Sequence, residues 1–184
     1  MSFERVGVLD FESGEDSLYS SVIDVAGGYA YFGCDTSPGK VVKVKLSDFT
    51  RVGVLDFEEG EDFLDSAVID VTAGYAYFGC GTYPGKVVKV KLSDFTRVGV
   101  LSFEPGENSL YSAVIDVAAG YAYFECNTYP GKVVKVNIYE APPSGAAYRA
   151  QKGLITGFHC FMKQYIDFTK AGLAPLKLPD GTLW

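Results

Sequence analysis

RVGVLDFESGEDSLYSSVIDVAGGYAYFGCDTSPGKVVKVKLSDFT, residues 5–50, decides the fold of this 184-residue chain because it returns from Arg51 to Thr96 and again from Arg97, a period of 46 residues. The first two copies agree at 38 of 46 positions, and the third follows as closely until Val136, where the pattern dissolves. A fixed period of this size marks an array in which each repeat is one supersecondary unit that buries its apolar faces against its neighbours.

Each copy reads as four strands separated by turn signals. In the first copy they are Ser20 to Val25, Tyr29 to Cys34, Lys40 to Leu46 and the run RVGVLDFE from Arg51. The first two are joined by Ala26-Gly27-Gly28, where glycine accepts positive φ. Asp24, with Asp70 and Asp116 in the other copies, is placed to cap that turn through backbone N–H groups. Pro38-Gly39 suits the centre of a type II turn between the second and third strands. The strands are apolar on both faces, as in Val41-Val42 and Ala30-Tyr31-Phe32, which is what a sheet held between two neighbours requires. Four short antiparallel strands in 40–50 residues describe a propeller blade, so the fold class is all-β with three blades over residues 1–140.

DVAGGYAYFGCDTSPGKVVKVKLSDFTRVGVL resembles the blade repeat of the YVTN-type propellers, the superfamily that includes surface-layer and lactonase-like proteins. The resemblance covers residues 3–138. It implies a propeller and does not imply an activity, because enzymes, binders and scaffolds share that fold.

Closed propellers usually need four or more blades, and this chain encodes about three. It also begins with a fourth-strand sequence, FERVGVLDFE at residues 3–12, whereas the third copy has lost that strand. The expectation is a strand exchange in which two chains pair head to tail into a six-bladed homodimer, a closed ring with no free edge. A tail that closes the ring itself, or a sequence that is one piece of a longer propeller, is the competing expectation.

Residues 141–145 read as a linker, and 146–184 as an extension with a helical stripe of Leu154, Phe158, Phe161, Tyr165 and Phe168 that packs on the array. Cys160 beside His159, the only histidine, is a weak signal on its own, His159 reads as a packed or surface residue without identified catalytic partners, and Trp184 reads as an anchor.

The net charge of −7 argues against a nucleic-acid partner, since phosphate binding needs a basic face and none stands out in the repeats. The charge divides unevenly: residues 1–142 carry 11 Lys or Arg against 21 Asp or Glu, and 143–184 carry five against two. No stretch reaches the apolar length of a membrane span, and no basic-then-apolar leader precedes the repeats, so a soluble, cytoplasmic chain is expected. Cys34, Cys80 and Cys126 share one repeat position. Stacked sheets lie about 10 Å apart, too far for disulfides, so buried free thiols are expected.

Any ligand site is expected where the loops before each first strand meet the hairpin turns. Those loops carry Glu15, Asp16, Glu61, Asp62, Glu107 and Asn108, with Tyr83 and Tyr129 at the turns. This acidic, aromatic rim suits a cation, a glycan or a basic peptide. Catalytic residues, metal and cofactor are each expected to be none. Near-identical copies weigh against an asymmetric active site, which needs different residues in different places.

Overall fold

A computed structural model describes residues 3–138, within the compact unit Met1–Tyr139; the linker and the extension, with the helical stripe, His159, Cys160 and Trp184, lie outside the described residues. Eleven strands are described. β1 (Leu18–Asp24), β2 (Tyr29–Cys34), β3 (Lys40–Lys45) and β4 (Thr50–Asp56) form the first antiparallel sheet in chain order. β5 (Leu64–Asp70), β6 (Tyr75–Cys80), β7 (Lys86–Lys91) and β8 (Thr96–Ser102) form the second. β9 (Ser112–Asp116), β10 (Tyr121–Cys126) and β11 (Lys132–Asn137) form a third sheet of three strands.

The turn after each first strand forms as its residues dictate. Gly28, Gly74 and Gly120 have φ of 79°, 80° and 76°. Asp24 Oδ1 accepts the Gly27 N–H at 2.7 Å, and Asp70 and Asp116 do the same for Ala73 and Ala119 at 2.9 Å. The next hairpin departs from expectation. Ser37–Pro38, Tyr83–Pro84 and Tyr129–Pro130 are cis, and Gly39 is not at positive φ, so the turn is not type II. Gly39 is required instead by close approach, because a Cβ there would lie 2.7 Å from both the Glu61 carbonyl oxygen and Leu64 Cδ2 of the next repeat.

The core lies between sheets. Tyr31 and Val41 of the first sheet pack with Leu64, Phe78 and Val88 of the second, and Val68, Tyr77 and Val87 of the second with Leu110, Phe124 and Cys126 of the third. Phe57 and Phe103 sit edge-on to Phe78 and Phe124 at centroid separations of 6.1 and 6.4 Å. Apolar residues on both faces of β6, and on one face of β2, are thereby covered. The outer strands β4 and β8 alternate half-buried and exposed residues, the period-two pattern of a sheet edge.

Residues 3–12, expected as a strand, have no strand partner among the described residues. A strand exists only through its ladder, and here no sheet edge meets this segment. Its position is nevertheless regular. A Cβ built on Gly7 would lie 3.5 Å from Phe49 Cε1, matching the 3.6 Å from Gly53 of β4 to Phe95 Cε1. Phe11 stacks edge-on against Phe32 at 5.9 Å, as Phe57 does against Phe78. The segment therefore lies against the first sheet as β4 lies against the second.

Candidate functional site

The loops expected to form a rim do meet. The Phe63 N–H donates to the Thr36 carbonyl at 3.0 Å, the Gly39 N–H donates to Glu61 O at 2.9 Å, and Ser37 Oγ bonds Asp62 Oδ1 at 3.0 Å. The loop before one sheet's first strand is thus stitched to the preceding sheet's hairpin turn.

The candidate residues divide by role. Glu15 and Glu61 are buried and face inward. Arg51 donates from Nε to Glu15 Oε2 at 2.9 Å and Arg97 from Nε to Glu61 Oε2 at 2.8 Å, while both guanidinium groups also reach Glu12 and Glu58 at 3.2 Å. Each carboxylate also accepts a backbone N–H from three residues earlier, Glu12 and Glu58 respectively. The Arg51 hydrogen bond holds the Glu15 carboxyl below its ordinary range against the opposing pull of burial. These two carboxylates tie one repeat's outer strand to the loop before its first strand. Glu107 accepts the Glu104 N–H at 3.0 Å but faces no arginine among the described residues. Asp16, Tyr83 and Tyr129 are exposed on the rim, with Asp62 and Asn108 half-buried beside them.

Cys34, Cys80 and Cys126 are free and buried. Burial pushes the Cys34 thiol up to about 11 and the Cys80 thiol up to about 12, so neither is a nucleophile at neutral pH.

A cavity of about 410 Å³ was not foreseen in the sequence. It opens beside the rim between the starts of β1 and β5 and the residue before β9, and is lined by Tyr19, Asp35, Phe63, Asp65, Gly81 and Tyr111. Tyr19 and Asp65 fall at ladder irregularities: Leu18 pairs with Cys34 and Ser20 with Gly33, Leu64 with Cys80 and Ser66 with Gly79. An extra residue of this kind is turned out of the ladder and its side chain re-aimed. Gly81 leaves the space, since a Cβ there would lie 2.5 Å from Asp65 Oδ2. Desolvation, with a smaller contribution from the Asp35 charge, raises the Asp65 carboxyl to about 6. The signal in the sequence was that Asp65 interrupts a position held by tyrosine in the other two copies.

Sheets of four antiparallel strands, stacked face to face with their first strands adjacent, are the arrangement of propeller blades. The described residues form an array of β-propeller blades. Solved propellers agree: the β-propeller domain of Cps50 (Swd1) from Myceliophteria thermophila superposes with a TM-score of 0.52 at 17% identity, over 76% of this chain and 44% of that one. The WD40 repeats of RRP9 superpose with a TM-score of 0.50 at 7% identity, over 59% of this chain and 32% of that one. The blades thus span less than half the length of these propellers, and the likeness extends to fold alone. Neither a protein-family model nor a curated protein matches the chain.

Proposed function

We propose that this protein is a non-catalytic scaffold whose blades self-assemble, two chains closing one ring, with the first segment of each chain completing the third blade of the other. The observation that carries this reading is a matched set of unpaired groups, among the described residues, at the two ends of the array. Arg51 and Arg97 bind carboxylates 36 residues before them; Glu107 has no such arginine, because its counterpart position is Pro143, and Arg5 makes no ion pair among the described residues. The register of β3 on β4 pairs Lys40 with Asp56 and Val42 with Val54. Carried onto β11, it sets Lys132 against the partner's Asp10 and Val134 against the partner's Val8, bringing the partner's Arg5 to Glu104 and Glu107.

Burial supports the same reading. Leu18 is 44% exposed whereas its equivalents Leu64 and Leu110 are 0% exposed. Val133 is 66% exposed whereas Val41 and Val87 are buried. Val133 on the third sheet and Leu18 on the first are thus open where their interior counterparts meet a further blade, although Val42 and Val44 on the first sheet's outward face are buried.

Light scattering with Arg5→Glu, and with an equimolar mixture of Arg5→Glu and Glu104→Arg/Glu107→Arg chains, tests this. Wild type and the mixture should run as dimers and each variant alone as a monomer. A monomeric wild type at about 100 μM would overturn the proposal, because a ring interface closed at both ends should hold at micromolar concentration or below.

One observation favours a second reading, a capped monomeric array. Gly33 and Gly79 allow the next blade's leucine to approach, with a built Cβ 2.9 Å from Leu64 Cβ and 3.0 Å from Leu110 Cβ, and the third blade carries Glu125 there. Under the assembly reading Glu125→Gly tightens the dimer; under the capping reading it converts a monomer into a self-associating chain.

A further inference from the structure

Copies one and two differ at eight of 46 positions, and three of those pairs are 17/63, 19/65 and 35/81. Every residue lining the 410 Å³ cavity occupies one of these three repeat positions: Phe63 the first, Tyr19, Asp65 and Tyr111 the second, Asp35 and Gly81 the third. The repeats are near-identical in their cores and different where they converge on this space. The stitched loops cause the convergence. The Gly81 N–H donates to Phe63 O at 2.7 Å and the Phe63 N–H to Thr36 O at 3.0 Å, so the hairpin turns of two blades and the loop before β5 are locked around Asp65.

The side chains are complementary to one kind of ligand. Asp65 is half-buried and its carboxylate accepts no hydrogen bond from a described residue, while Asp35 adds a second negative charge across the cavity. Tyr19 and Tyr111, both exposed, line the space with the acids, and Phe63 adds an apolar wall. Two carboxylates without internal cations, in a space walled by aromatic rings, favour a positive group with an alkyl stem: the charge answers the acids and the rings attract it through their π faces. Among the described residues no group of three or more His, Cys, Asp or Glu is placed to hold a metal ion, which points to an organic cation.

We propose that this cavity is a binding site for an alkylammonium group, whether a free amine or the side chain of a lysine in a peptide. Asp65 is the principal charge contact, Asp35 the second, and Tyr19 and Tyr111 the ring walls. Gly81 is the residue that makes room. The site lies wholly within the first two blades and the residue before β9, so it is independent of ring closure.

The test is a titration of the full-length chain with n-butylammonium chloride, followed by amide NMR shifts, with n-butanol as the neutral control and the capped peptide Gly-Lys-Gly as the second arm. Butylammonium should bind saturably, with shifts centred on Asp35, Asp65 and Gly81 and a dissociation constant on the order of millimolar, as suits two solvent-screened carboxylates and two aromatic rings. Asp65→Asn should weaken it about tenfold, the equivalent of one charge-assisted contact. The triple variant Phe63→Ser/Asp65→Tyr/Gly81→Asn, which gives the second blade the third blade's residues and so keeps a fold the chain already tolerates, should abolish it. Peptide binding tenfold tighter than butylammonium assigns the lysine source, and equal or weaker binding the free amine. Butanol binding equal to butylammonium, unchanged affinity in Asp65→Asn, or absence of saturable shifts would each overturn the proposal.

Discussion

Replacing Asp65 with Asn should make the protein more stable at neutral pH, and only there. The folded carboxyl titrates at about 6 against an ordinary 3.8, because desolvation and the Asp35 charge both disfavour the ionised form. Folding therefore binds a proton between these values, and the stability Asp65 contributes is present below about 3.8 and lost as the pH rises through 6. In a dry site two pH units would amount to about 3 kcal/mol. This carboxyl is half-buried, so solvent screening reduces the expected penalty to about 1–2 kcal/mol at pH 7.5. Asn keeps the shape and removes the charge. Urea unfolding of both proteins at pH 7.5 and pH 3.5 should give a variant more stable by about 1–2 kcal/mol at the higher pH and indistinguishable at the lower. A variant less stable at pH 7.5, or a difference that does not change with pH, would refute the assignment of an uncompensated charge. The same substitution should weaken ammonium binding, which is the trade between stability and function that a preformed charged site carries.

Three further outcomes separate the roles of equivalent residues. Leu64→Ala should cost about 2–5 kcal/mol, since Leu64 is fully buried between blades; Leu18→Ala should cost less than half as much in a monomer and approach the Leu64 value in a closed ring, measured by urea unfolding across protein concentration. Arg97→Ala leaves the buried Glu61 carboxylate without its guanidinium and should cost about 2–3 kcal/mol in thermal or urea unfolding at pH 7, whereas Lys91→Ala, which breaks an exposed pair with Asp94, should change stability by less than about 0.5 kcal/mol. Peptide mapping after alkylation at pH 8 should find Cys34, Cys80 and Cys126 unmodified in the folded chain and fully modified in urea, because burial keeps their thiols protonated.

Much of the fold was legible in the chain itself. Tyr29–Cys34 and the strand beginning at Lys40 are bounded by glycine and proline and filled with β-branched and aromatic residues, so their extent follows from local chemistry. Asp24 capping the turn at Gly27-Gly28 is equally local. The reading failed where the determining contact came from another repeat. Gly39 follows a proline and looks like a type II turn, but its small size answers Leu64 and Glu61 of the next blade. Glu15 and Glu61 look like exposed rim acids, but arginines 36 residues away draw them inward. Residues 3–12 have the composition of β4 and make the same ring contacts, yet without a neighbouring edge they form no ladder.

The 46-residue period by itself determined the repeating antiparallel unit and the all-β class, because turn chemistry and period-two patterning act over a few residues and repeat wherever the sequence repeats. Only the tertiary structure decided what the differences between copies mean. Phe63, Asp65 and Gly81 are scattered substitutions along the chain, and they become one cavity wall only when stacked blades and stitched loops bring them opposite Tyr19, Asp35 and Tyr111. Identity among the copies built the scaffold through local forces, and the chemistry sits where long-range packing gathers the exceptions.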